Sequence, residues 1–361
     1  MTQPRQSRLV TTWLIAGAVA GCSGQPLIPW SRETPPIVLV PAAQAGVQDK
    51  RARFREIFCA VLEARKAELP DYRTCDDALT RMAGETTGAS APVPLAPSQR
   101  GLIVAGVPGF GYDCFESWLD SKGTVGAHLR RQGFELSLIQ IEGLSSSQRN
   151  ARLIRDALMA LPAEPGAPRI VLIGYSKGST DVLEALVDYP EMLPRIAAFV
   201  SIAGTIGGSP LANDSEQGTA ELLTHVPGAK CTAGDQGAVA SLRPDTRRAW
   251  LAVHPLPKEL RYYSVVTLPQ PERISSILQS SYAKLAQIDA RNDSQAIFYD
   301  QVVPGGALLG YLNADHWAAA VPIGRTHPTI AAMFVTQNAY PREALLEAIL
   351  RFVDEDLGPA R

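Results

Sequence analysis

The chain has 361 residues, of which 46% are hydrophobic and 19% charged, so it carries enough apolar material for one large domain that folds alone, with room for an elaboration. Its formal net charge is −2, and Lys and Arg are scattered rather than clustered. That leaves no electrostatic footprint for nucleic acid or for an acidic membrane surface, and nucleic-acid binding is excluded as a leading reading.

At the N-terminus, Arg5 and Arg8 precede the apolar run "LVTTWLIAGAVA". The run is too short to cross a bilayer core of about 30 Å comfortably but has the length of a signal-peptide hydrophobic region. It ends in "VAGC", residues 19–22, which resembles the bacterial lipoprotein signal. The resemblance implies that residues 1–21 are removed and that Cys22 is lipidated, giving a membrane partner through an N-terminal anchor. Ser23 after the cysteine points, by the same resemblance, to the outer membrane of the cell envelope. The competing reading is an ordinary export signal with an incidental cysteine.

Residues 22–47 are rich in Pro and small residues and read as a tether. Residues 48–100 read as an N-terminal helical pair and linker. In "DKRARFREIFCAVLEARKAEL", Phe54, Phe58, Val61 and Leu62 share one helical face, and "PDYRTCDDALTRM" begins a second helix after a Pro-Asp turn. The stretch "AGETTGASAPVPLAPSQR" then has few bulky residues and reads as the linker.

From residue 101 to 361 short apolar runs alternate with amphipathic helical patterns. The runs are "GLIVAGV", "ELSLIQIEG", "RIVLIGYS", "IAAFVSIAG", "LRYYSVVTL" and "GALLGYL". Buried strands separated by crossover helices predict an α/β fold, a mostly parallel six-stranded sheet covered on both faces. Residues 207–258 break the rhythm with many Gly, Pro and polar residues, and the segment is long for a connection. It reads as a lid or cap insertion.

Apart from Cys22, the cysteines are Cys59, Cys75, Cys114 and Cys231, an even number in a chain that reads as exported to an oxidising compartment. Four cysteines allow three pairings. Cys59 and Cys75 flank the helical pair, whereas Cys114 follows the turn "PGFGYD" and Cys231 lies in the insertion, so the pairing Cys59 with Cys75 and Cys114 with Cys231 is the working hypothesis, against four free thiols. The spacings offer no zinc chelate, since no Cys-x-x-Cys pair occurs and no His lies beside a Cys.

The segment "LIGYSKGSTDVLEAL" carries the chemistry. A Gly-x-Ser-x-Gly match is weak by itself, but here a buried-strand run leads into it and a helix leads out. Gly174 and Gly178 allow the sharp strand-to-helix turn that exposes a nucleophilic Ser176 at a helix N-terminus. His316, a few residues past the last predicted strand, projects over the same sheet edge and is the favoured base, with His327 its rival. Asp300 in "AIFYDQVVPGG" is the favoured third member, with Asp293 and Asp289 its rivals; the chain order is then Ser, Asp, His. Lys177 is expected to be held in a salt bridge, and a Ser-Lys dyad is disfavoured because adjacent side chains in such a turn point apart.

On these motifs, residues 101–361 resemble an α/β-hydrolase, and more narrowly the bacterial lipase branch. Its tyrosine-rich strand is similar to "YYSVVT", its acidic motif to "DQVVPGG", and a histidine follows its last strand. The resemblance implies an oxyanion hole from the N–H groups of Phe110, in "VPGFGYD", and of Lys177, the residue after the nucleophile; Pro108 stands where the family often has His. It implies hydrolysis of a carboxylic ester or lipid through an acyl-enzyme, without cofactor or metal. The alternative from a different class is an envelope lipoprotein that keeps the fold as a binding surface. If Cys22 is the anchor, Cys22→Ser abolishes metabolic labelling by a fatty acid and moves the protein out of the membrane fraction; unchanged labelling would refute it.

Overall fold

The apolar alternation from residue 101 onward produces one sheet. In a computed structural model, which describes residues 30–32, 46–118, 123–161, 170–214 and 231–358, the six expected runs are strands β3 to β8. They are preceded by two short strands that the sequence did not announce. The elements are β1 (Gln48–Asp49), α1 (Arg51–Arg65), α2 (Cys75–Ala78), β2 (Leu79–Thr80), β3 (Ile103–Val107), α3 (Thr124–Arg131), β4 (Glu135–Leu138), α4 (Ser147–Ala160), β5 (Ile170–Tyr175) and α5 (Lys177–Asp188). There follow β6 (Ile196–Ile202), α6 (Leu211–Asp214), α7 (Ala238–Ser241), α8 (Pro244–Val253), β7 (Arg261–Thr267), α9 (Gln279–Ala286), β8 (Ala307–Leu312), α10 (Ile323–Thr326), α11 (Pro328–Phe334) and α12 (Arg342–Asp356).

The strand order is β1-β8-β7-β6-β5-β3-β4, with β2 also on β8. Every pairing is parallel except that of β2, which runs antiparallel to β8. Parallel strands are buried on both faces, and β6 and β8 are accordingly buried along their whole lengths. On one face Phe54 and Phe58 of α1 join Leu345, Ile349 and Phe352 of α12. On the other, Ile154 and Leu158 of α4 meet Val182, Leu183 and Leu186 of α5.

The N-terminal segment differs from its expected form. α1 is the predicted helix, but the second helix is one turn long, because after Ala78 the chain meets the open edge of β8. Leu79 and Thr80 pair there with Leu312 and Tyr311, and the Thr80 hydroxyl donates to the Leu268 carbonyl at 2.8 Å. Edge pairing thus overrides local helix preference. The expected linker is tied down as well: Arg351 donates to the carbonyls of Pro94, Leu95 and Ala96 at 2.8 to 2.9 Å. Residues 48–100 therefore belong to the main body rather than to a separate pair.

The 207–258 insertion is described in part. Its residues 215–230 lie outside the described residues. Its described part packs on the α4 and α5 side, where Arg247 of α8 reaches Glu184 of α5 at 2.9 Å and Trp250 and Leu251 join the core. Disulfides connect Cys59 to Cys75 and Cys114 to Cys231. The first closes a sequence separation of 16 residues between α1 and α2. Replacing both its cysteines with serine should cost about 3 kcal/mol in a urea unfolding curve by the chain-entropy argument, and no change in midpoint would show that packing alone holds this corner.

Candidate active site

β5 runs straight into α5, and Ser176 lies at the junction with φ 53° and ψ −126°. This is a left-handed conformation that non-glycine residues avoid, and it persists only where the surroundings enforce it. They do so by close approach. A Cβ on Gly174 would stand 2.5 Å from the Ser179 Cα, and one on Gly178 would stand 2.3 Å from the carbonyl oxygens of Val107 and Pro108. Only glycine fits at either place, so β5, α5 and the end of β3 close together beneath the serine.

The loop after β8 brings His316 over this turn. Its position is set by Asp315, whose carboxylate accepts from the Ser275 and Ala318 amides at 2.9 Å, and by the Tyr175 hydroxyl, which donates to the His316 carbonyl at 2.8 Å. The His316 Nε2 lies 2.8 Å from the Ser176 Oγ. Its Nδ1 lies 2.7 Å from Oδ2 of Asp293. A carboxylate only accepts, so Nδ1 carries the proton and Nε2 is left to accept from the serine hydroxyl.

The carboxylate that meets His316 is thus Asp293, not Asp300. Asp293 is fully buried at 0% exposure, and its oxygens are saturated with donors. Oδ1 accepts from the amides of Gln295 at 2.9 Å and Ala296 at 2.7 Å. Oδ2 accepts from the Thr267 hydroxyl, from Gln301 Nε2 at 3.2 Å and from the imidazole. The tight turn with Ser294 at φ 80° wraps the chain around it. The signal in the sequence was that "NDS" turn, with side-chain acceptors and no bulk, six residues past the end of α9.

Asp300 sits on the next short turn, Phe298–Gln301, and faces Gly207 instead. Its carboxyl takes no hydrogen bond among the described residues, and burial pushes its pKa up to about 7, against the opposing charge of Arg248. His327 is also away from the relay, on the N-terminal side of α11 with its Nδ1 3.1 Å from the Thr326 hydroxyl.

The Lys177 side chain turns into the interior. Its ammonium donates to both oxygens of Asp181 at 2.7 and 2.9 Å, and Asn150 Nδ2 donates to the same carboxylate at 2.8 Å. The charge is neutralised one turn along α5, which leaves only the backbone of Lys177 at the site. Neither its amide nor that of Phe110 donates to another backbone group among the described residues. Gly109 brings the Phe110 turn against the nucleophile: a Cβ there would stand 2.9 Å from that of Ser176.

The same turn is fixed from behind. Gly111 donates to the Gly143 carbonyl at 3.1 Å, Asp113 accepts from the Gly143 and Thr232 amides at 3.0 and 2.9 Å, and Cys114 is bonded to Cys231. Above Ser176 and His316 lies a cavity of 480 Å³, walled by Trp317, Ile330, Phe334, Val335 and Ile277. None of its walls comes from the described part of residues 207–258; Trp317, Ile330, Phe334 and Val335 belong to the segment after β8. No group of side chains among the described residues has the make-up of a metal site. Cys22 lies outside the described residues.

A metagenomic carboxyl esterase of known structure is 41% identical to this chain, with a TM-score of 0.82 over 90% of this chain and 97% of that one. The propeptide form of a Bacillus licheniformis lipase is 18% identical, with a TM-score of 0.51 over 67% of this chain and 52% of that one, a likeness of fold. No protein-family model matches, and neither does any curated protein. The 41% identity over nearly the whole length, joined to the parallel sheet and its strand-to-helix turn, settles the family: the chain belongs to the α/β-hydrolases, among the carboxyl esterases.

Proposed function

We propose that the protein hydrolyses carboxylic esters through an acyl-enzyme, with Ser176 as nucleophile, His316 as proton carrier and Asp293 as its orienting partner. The observation that carries this reading is the continuous pair of hydrogen bonds from Asp293 through His316 to Ser176, at 2.7 and 2.8 Å, on the floor of an apolar cavity. The Ser176 oxygen attacks the ester carbonyl carbon while its proton passes to His316 Nε2. The imidazolium so formed faces a carboxylate already held by four further donors, so its charge is met without rearrangement.

The carbonyl oxygen, now negative, is received by the Phe110 and Lys177 amides at the N-terminal end of α5, where the helix dipole also favours negative charge. His316 then returns its proton to the departing alkoxide. A water attacks the acyl-enzyme by the same route in reverse, giving the carboxylic acid and restoring the serine hydroxyl. The balance needs only ester and water. A binding protein has no need of a fully assembled relay on a strained turn, which favours the enzyme reading.

The protein also fits an exported lipoprotein, cleaved before Cys22 and anchored there to the envelope, with an ester or lipid as substrate. Two disulfides support a life in an oxidising compartment.

Ser176→Ala and His316→Ala should each lower kcat for a p-nitrophenyl ester by at least about a thousandfold, and a fluorophosphonate probe should label Ser176 in the parent protein alone. Retained turnover in Ser176→Ala would sink the assignment. Asp293→Asn should also lose most of its rate, by about a hundredfold or more, because an amide favours the wrong imidazole tautomer. Asp300→Asn should stay active. Because the folded pKa of Asp300 stands near 7, above the ordinary 3.8, ionisation weighs against the folded state progressively from about pH 4 to pH 7 and fully above that. The same substitution should therefore stabilise the fold at pH 8, by up to about 4 kcal/mol, and leave its stability unchanged near pH 4; the reverse pH trend would contradict the buried-acid account.

A further inference from the structure

The two amides assigned to the oxyanion hole belong to separate segments, Phe110 to the turn after β3 and Lys177 to the start of α5. One unbroken run of polar contacts joins those segments behind the site. It starts at the Lys177 ammonium, which donates to both oxygens of Asp181. Asn150 of α4 donates from Nδ2 to Oδ2 of Asp181 at 2.8 Å and to the Glu142 carbonyl at 3.0 Å, and its Oδ1 accepts from the Glu142 amide at 3.1 Å. The next residue, Gly143, donates to Oδ1 of Asp113 at 3.0 Å and accepts from the Gly111 amide at 3.1 Å. Gly111 follows Phe110 directly.

Each link is exacting. Asn150 is buried at 0% exposure; a carboxylate in its place could not donate, and an aliphatic side chain would leave Asp181 and the Glu142 backbone without these partners. Gly143 has no room for a side chain, since a Cβ would stand 2.5 Å from Asp113 Oδ1 and 2.7 Å from the Gly111 nitrogen. Asp113 spends its other oxygen on the Thr232 amide at 2.9 Å, and its neighbour Cys114 is bonded to Cys231, so the run is braced from the insertion as well. Neither Asn150 nor Asp113 lines the cavity above Ser176. We propose that Asn150 and Asp113 are positioning residues of the oxyanion hole, which together hold the Phe110 amide at a set separation from the Lys177 amide. This inference rests on the ester-hydrolase reading of the same site. Amides aimed in advance at an oxygen that becomes negative stabilise the transition state more than the bound ester, and a misplacement of about 1 Å lowers the rate about a hundredfold. Loosening either residue therefore acts on kcat and spares KM.

The experiment measures kcat and KM for p-nitrophenyl butanoate in the parent, Asp113→Ala, Asn150→Ala and the double variant, together with inhibition by a trifluoromethyl ketone and by the matching methyl ketone. The fluoroketone carbonyl carbon takes up the Ser176 oxygen while the serine proton passes to His316, which leaves an oxyanion in the hole; the methyl ketone stays trigonal. Each single variant should lose about a hundredfold in kcat with KM within about twofold, and the fluoroketone should bind weaker by the factor that kcat/KM falls. Inhibition by the methyl ketone should be unchanged. Because both residues act through one turn, the double variant should also lose about a hundredfold, not the roughly ten-thousandfold of independent effects. A loss confined to KM, an unchanged fluoroketone affinity, or losses that multiply would overturn the positioning role and leave the hydrolase standing. A parent that hydrolyses no ester removes the hydrolase reading, and the role with it. If Asn150→Ala does not fold, Asp113→Ala, at a half-buried side chain, decides through kcat and the fluoroketone affinity.

Discussion

Backbone contact between β5, α5 and the end of β3 is the constraint on which the site depends. Two glycines without side chains let three backbones touch, at separations that any Cβ would forbid. The serine between them has no freedom to relax from its positive φ. Strain in a backbone persists where packing over-determines it, and here the packing is that of the sheet core itself. The nucleophile's direction is thus fixed by the parts of the fold that are hardest to deform.

A second tier of constraint is polar. Buried charges are tolerated only when paired, and breaking one partner of a buried pair typically costs about 3–5 kcal/mol. α5 carries two such pairs: Lys177 with Asp181, tied further to Asn150 of α4, and Glu184 with Arg247 of α8. They lock the helix that begins at the nucleophile to the elements beside it. The Asp293 turn follows the same logic, since every donor around its carboxylate comes from a different chain position, from Thr267 at the end of β7 to His316 after β8.

The six main strands were legible from their apolar runs, continuous where a strand is buried on both faces, and Ser176 because its glycines mark a turn no other residue allows. His316 was legible from its place just past β8. The carboxylate was not, because sequence order admits any acidic residue between β7 and β8. What separates Asp293 from Asp300 is a one-residue backbone twist at Ser294 and the donors it gathers. The second helix failed for a related reason. Whether Leu79 continues a helix or joins β8 is decided by tertiary neighbours that local pattern does not contain.

The two short strands on β8 have a consequence for how molecules of this protein meet one another. β1 takes the first half of the outer β8 edge and β2 the second, so the unpaired amides and carbonyls that could recruit another chain are already used. At the opposite margin β4 is short, and its outward positions Glu135 and Ser137 are polar and exposed. A sheet that is sealed on one side by its own N-terminus and blunted on the other by charge and brevity is a poor template for strand addition. Edge-to-edge association of folded molecules is disfavoured at both margins.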